Sequence, residues 1–115
     1  MGGVSELNSE DAKIITLARS SRARTGAAEG AAVRDETGRT YAATGVDLPS
    51  LKLSALQVAV AMAVSSGAES LEAAALVSTA DAATASDVTT VRELGPEATV
   101  LLAAPDGTLR AALEA

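Results

Sequence analysis

Cysteine and histidine are absent from the 115 residues, tryptophan and phenylalanine are absent too, and Tyr41 is the single aromatic side chain. Without thiols no disulfide forms, and the chain suits a reducing compartment, so the cytoplasm is the expected location. Thiols and imidazoles supply most ligands of zinc and copper sites, and imidazole is the usual general base near neutral pH. No metal and no other cofactor is therefore expected. Positive charge is also scarce: nine Lys and Arg stand against fifteen Asp and Glu, a net charge of −6. Such a surface repels phosphate backbones and offers no aromatic platform for bases, which excludes nucleic acid as a partner. Arg19, Arg22 and Arg24 form the one local concentration of basic residues. They read as a solvated helix end, where cations favour the dipole. The longest apolar run falls short of the roughly 20 residues that a bilayer-crossing helix needs. Met1 to Asp11 is polar and acidic, unlike a secretory signal. No membrane association is expected.

What the chain does have is small apolar residues. Nearly half of it is hydrophobic, most of that Ala, Val and Leu. The length suits one domain over residues 1–115, with residues 1–7 as a loose leader. Side chains this small give a thin core with little buried area per residue. Part of the stability is accordingly expected from subunit association.

The organising stretch is Leu51 to Ser66, LKLSALQVAVAMAVSS, where only Ser54 and Gln57 are polar between Leu53 and Val64. A helix apolar nearly all round is a buried helix. Ser50 is the expected N-cap and Gly67 the left-handed residue that closes it. The reading is a central helix covered on several sides.

Before it, Asn8 or Ser9 caps a helix that opens with Glu10 and Asp11 and frays near Ser20 to Arg24, with Gly26 ending it. Ala27 to Asp35 and Arg39 to Val46 are predicted to pair as an antiparallel hairpin around Glu36, Thr37 and Gly38. After the central helix, Ala73 to Thr79 is apolar without alternation, as in a strand covered on both faces. Ser86 is the expected cap of a short helix from Asp87 to Leu94, ended by Gly95 and Pro96. Thr99 to Ala104 is a second buried strand, Pro105 to Gly107 a turn, and Thr108 to Ala115 an edge strand or one helical turn. The predicted fold is an α/β three-layer α/β/α sandwich with a mixed sheet, its first pair antiparallel and its later strands joined by helical crossovers.

This order, with three local phrases, resembles the small zinc-dependent cytidine deaminases. GAAVRDETGRTYAATGV at Gly30 to Val46 resembles that family's hairpin. LSALQVAVAMAVSSG at Leu53 to Gly67 resembles the helix that in active members begins C-A-E or H-A-E. RELGPEATVLLAAPDG at Arg92 to Gly107 resembles the last helix, strand and turn. Deaminase chemistry needs three thiolate or imidazole ligands on zinc, an activated water, and a Glu that shuttles protons without touching the metal, in a pattern H-x-E followed by P-C-x-x-C. The resemblance places Ser54 where the first ligand belongs and Leu56 where the Glu belongs. Thr84 and Asp87 fall at the two Cys positions and Ala83 near the Pro. Asp47, followed by Leu48 and Pro49, represents what remains of the N-x-E substrate phrase. A Ser hydroxyl is a poor zinc ligand, and leucine transfers no proton. The resemblance thus implies the fold and a homo-oligomer, dimer or tetramer, and argues against the activity.

Other constellations read as ordinary structure. Ser54 has no His to activate it, and Lys52 lies on a different helix face. Asp35 and Asp47 would make a carboxylate pair for acid–base work, but each stands where turns and helix starts favour Asp. Asp81, Asp87 and Glu93 lack the dense Asp/Asn-and-Gly loop of a cation site. The glycines do not make a phosphate-cradling loop. The leading functional reading is a catalytically inactive deaminase-like protein working as an oligomeric binding or structural subunit. The alternatives are a nucleoside or nucleotide sensor without turnover, and an enzyme with rebuilt chemistry.

Overall fold

The computed structural model describes residues 7–115, so most of the loose leader expected over residues 1–7 lies outside the described residues. Leu7 itself is half-buried against the core. Helix α1 (Ser9–Thr25) starts at Asn8, whose side chain accepts from the Asp11 amide at 2.7 Å. Glu10 and Asp11 stand at the positive end of its dipole. It does not fray near Ser20 to Arg24 but runs to Thr25, where Gly26 takes the left-handed conformation (φ 69°).

The expected hairpin forms as β1 (Gly30–Asp35) and β2 (Thr40–Thr44), in antiparallel register from Gly30↔Thr44 to Arg34↔Thr40. Chain order then brings β3 (Val46–Leu48) and β4 (Leu51–Leu53), a small separate antiparallel pair. Helix α2 (Ala55–Ser65) follows, then β5 (Leu71–Val77), α3 (Ala85–Leu94), β6 (Thr99–Ala103) and β7 (Leu109–Leu113). The main sheet has the order β2-β1-β5-β6-β7, with β5 and β6 parallel and the other neighbours antiparallel. Of the two tail conformations expected, the edge strand is the one formed.

Alternation along the central strands sends side chains to two cores. Ala32, Ala73, Ala75, Val77 and Leu101 face α1 with Ile14, Ile15 and Ala18. Ala31, Val33, Ala74, Leu76, Val100 and Leu102 face the layer of α2 and α3, with Leu56, Ala59 and Val91. That is the three-layer α/β/α sandwich with a mixed sheet. At Gly30 the backbone of α1 comes so close that an added Cβ would lie 2.1 Å from the Ala18 carbonyl oxygen.

Three expectations are corrected here. The central helix does not span Leu51 to Ser66: Leu51 to Leu53 is strand, and Ser54, not Ser50, is the N-cap. Pro49 and Ser50 belong to the turn between β3 and β4, and L-K-L has the period of a strand. The later helix starts after Thr84 rather than Ser86, because the Thr84 hydroxyl accepts from the Asp87 amide at 3.1 Å. Finally, α2 buries only its sheet side, through Ala55, Leu56, Ala59, Val60 and Ala63. Its outer side leaves Met62 40% and Val64 53% exposed, and the β3–β4 pair leaves Leu48 53% and Leu51 46% exposed.

The hairpin end depends on Asp35, which is buried at the tip of β1. One carboxylate oxygen accepts from the Thr37 amide, the Thr37 hydroxyl and the Arg39 amide, and the other from the Tyr41 hydroxyl at 2.8 Å. Burial alone would raise its pKa, yet these donors together hold it down at about 2. Because the folded value lies below the unfolded one, this stabilisation is complete above about pH 4. It is lost as pH falls toward 2. Asp35→Asn should therefore cost about 1–3 kcal/mol in urea unfolding at pH 7. It should also flatten the acid limb of the stability curve between about pH 4 and 2.

Candidate functional site

The turn from β4 into α2 carries the positions of interest. The Ser54 hydroxyl accepts from the Gln57 amide at 3.1 Å, and the Gln57 side chain accepts in return from the Ser54 amide at 2.9 Å. This capping box satisfies two of the donors that a helix start leaves free. The same hydroxyl donates to Asp87 Oδ1 at 2.5 Å, a charge-assisted bond that joins the first turns of α2 and α3. Ser54 thus has its proton and an acceptor site committed. The acceptor of that proton is a carboxylate held in the first turn of α3.

Ser54, Thr84 and Asp87 are linked by hydrogen bonds, Ser54 to the Asp87 carboxylate and Thr84 to the Asp87 amide. Thr84 caps α3 and Asp87 sits in the first turn of that helix, 4% exposed. Leu56, one residue into α2, points elsewhere: it is fully buried in the core cluster that includes Val33, Leu76 and Val91. Asp47 lies on β3 opposite Lys52, with the two side chains ion-paired at 2.6 Å and both well exposed. An exposed pair of this kind contributes little to stability.

The donor set does not fit zinc. Ser54 and Thr84 offer neutral hydroxyls already engaged as caps, leaving Asp87 as the single anionic oxygen donor. Among the described residues no group of three or more His, Cys, Asp or Glu is placed to hold a metal ion. Asp81, Asp87 and Glu93 stay apart in their bonding: Asp81 pairs with Arg110 at 2.8 Å, while Asp87 binds Ser54. Asp35 and Asp47 are not a pair either, since Asp35 is enclosed by its own hairpin and Asp47 faces Lys52. Arg19 donates to the Pro105 carbonyl and Arg22 to the Ala28 carbonyl, both within 3.0 Å.

A cleft of about 580 Å³ opens beside Ser54, within the range of small-ligand sites. Its walls come from the segment before β1, the β3–β4 pair, the start of α2 and the chain leaving β5. Glu29, Asp47, Ser54, Ser78 and Thr79 supply its polar lining, and no basic side chain is among the lining residues. Buried Ser78 donates to Glu29 Oε2 at 2.8 Å and accepts from the Ala80 amide at 3.0 Å. Sequence reasoning missed Glu29 and Ser78 because it placed both inside strands. The available signal was Glu29 itself, an acid among small apolar residues just before Gly30.

Residues 7–107 match the family described as cytidine deaminase-like. No curated protein gives a significant match to the sequence. Among solved structures, a cytidine deaminase from Burkholderia pseudomallei is similar with a TM-score of 0.76 and 23% identity. The match covers 89% of this chain and 90% of that one. A mutant cytidine deaminase from Mycobacterium tuberculosis gives 0.65 at 24% identity, covering 76% of this chain and 81% of that one. A cytidine deaminase from Mycobacterium leprae gives 0.63 at 18% identity, covering 83% and 87%. At these identities the structural likeness speaks to the fold, and the family match spans nearly the whole described chain. The chain belongs to the cytidine deaminase-like family.

Proposed function

We propose that this protein is a non-catalytic member of its family, working as one domain in a homo-oligomer with a binding or structural role. The observation that carries the reading is the state of positions 54 and 56. Ser54 is locked into a capping box and a bond to Asp87, and Leu56 fills the α2-side core with none of its surface exposed. A proton shuttle needs an ionisable group within reach of the reacting atoms, and leucine at position 56 is neither ionisable nor accessible. Incubating the protein with cytidine, with and without added zinc, should release no ammonia and form no uridine. Turnover in either arm would establish rebuilt chemistry instead.

The oligomeric part rests on the outer side of α2. Met62 and Val64 flank that side, Leu48 and Leu51 stand on the β3–β4 pair, and all four are exposed beyond 39%, an unusual share of bare apolar surface for so small a chain. Light scattering should give the mass of two or four chains. Val64→Glu should shift the sample toward the monomer with its far-ultraviolet circular dichroism unchanged. A wild-type sample that runs as a monomer overturns this part.

A second reading is supported by the cleft beside Ser54: a small-molecule sensor without turnover. Glu29 and Asp47 line it without a basic side chain among the lining residues, which favours an uncharged nucleoside over a nucleotide. Calorimetric titration with cytidine should show heat where cytidine monophosphate shows none; flat traces with both would dispose of the sensor. The proposed compartment is the cytoplasm, to be checked by cell fractionation. Among the described residues no helix is long and apolar enough to cross a membrane.

A further inference from the structure

We propose that Ser54, Thr84 and Asp87 form a metal-free clasp, in which the Asp87 carboxylate holds the first turns of α2 and α3 together as a shared ion would. The proposal rests on the reading of this site as one without zinc. A metal bound at positions 54, 84 and 87 would tie those two turns across more than thirty residues of chain. Here the Ser54–Asp87 hydrogen bond joins the same two turns, and Thr84 caps the turn that carries Asp87.

Charge explains why an acid stands there. Each helix N-terminus carries a partial positive charge and free amide donors, so two of them side by side need a negative partner. The first turn of α2 has no acidic residue, and the first turn of α3 has only Asp87. Asp87 is 4% exposed and meets the Ser54 hydroxyl at 2.5 Å, and its own amide donates to Thr84 Oγ1 at 3.1 Å. The Asp87 carboxylate thus stands in the first turn of α3 and accepts from the cap of α2, while Thr84 holds the backbone of that turn through the Asp87 amide. Ser54 completes the connection, because its hydroxyl accepts from the Gln57 amide of α2 while donating to Asp87 of α3. Among the described residues this is the one hydrogen bond between α2, with its cap, and α3. The remaining contact between the helices is apolar, through the core shared by Leu56 and Val91.

The clasp and plain capping make different predictions. If Ser54 and Thr84 only cap their own helices, Asp87 and Ser54 act independently. If they form a clasp, removing either partner removes the same bond. A double-mutant cycle with Ser54→Ala, Asp87→Ala and the combination, read by thermal unfolding of the full chain, separates the two. The cap lost with Ser54→Ala appears in both the single and the combined variant and so cancels.

Each single substitution should lower the melting temperature by about 5–10 °C. The combination should fall little further than the worse single. Neither a chelator nor added zinc should move the wild-type melting temperature. Additive losses would overturn the clasp, as would a melting temperature that chelator lowers or zinc raises by several degrees. Should Ser54→Ala fail to fold, Ser54→Gly takes its place, since glycine at an N-cap costs only a few tenths of a kcal/mol. Should Asp87→Ala fail, Asp87→Ser takes its place, shortening the acceptor away from Ser54 while keeping a polar residue in the first turn. Uridine formation by the wild type with strong coupling in the cycle sinks the non-catalytic reading and leaves the clasp. Additive losses with no turnover sink the clasp alone.

Discussion

Alanine at the contacts between sheet and helices sets the other distances in the molecule. Ala31, Ala32, Ala73, Ala74 and Ala75 are all buried on β5, the central strand of the sheet, and on its neighbour β1, and Ala18, Ala59 and Ala63 meet them from the helices. With so little side chain between layers, α1 approaches β1 until only glycine fits at position 30. Close approach has a cost in area: a buried alanine removes far less apolar surface from water than a leucine does. The larger groups that could thicken a core, Met62 and Val64, lie instead on the outer side of α2. The thin interior and the apolar exterior are thus two sides of one packing choice.

Much of this was legible in the sequence, for identifiable reasons. The β1–β2 hairpin followed from Gly38, which takes a φ of 90°, and from the extended preferences around Tyr41. Unalternating apolar runs identified β5 and β6 as strands covered on both faces. The start of α2 was misplaced because Leu51 and Leu53 are as apolar as the helix they precede. Composition gave no boundary there, whereas the capping box formed by Ser54 and Gln57 did. At α3 the same happened on a smaller scale: Thr84 and Asp87 have cap-and-third-residue spacing, and Ser86 drew attention to the wrong hydroxyl. The burial of α2 was overread for a different reason. Hydropathy reports what a surface prefers, and an isolated chain leaves one side of that preference unmet.

The site was legible as a set of positions and less so as a set of roles. Absence of thiols and imidazoles is a fact of composition and is read from the sequence directly. That Ser54 and Asp87 would bond to each other is not, because they lie 33 residues apart and each has an ordinary local explanation. Glu29 and Ser78 were invisible as lining residues because one lies just before β1 and the other just after β5, a pairing that depends on strand order.

Leu56 shows why these changes hang together. Its position is fully buried, in a cluster that includes Val33, Leu76, Val91 and Val100. An ionised glutamate there would be stripped of water with no cation nearby to pair with, a cost of several kcal/mol unless it were protonated. A charged residue in that place is tolerable only beside a metal or an opened, hydrated pocket, and the donors at 54, 84 and 87 supply neither. Leucine restores an apolar core, and a fully packed leucine closes the space through which a proton would move. The proposed non-catalytic role, an apolar residue at position 56 and a hydrogen-bonded helix junction are therefore mutually consistent: an acid at 56 would need a cation or water that the donors at 54, 84 and 87 do not bring.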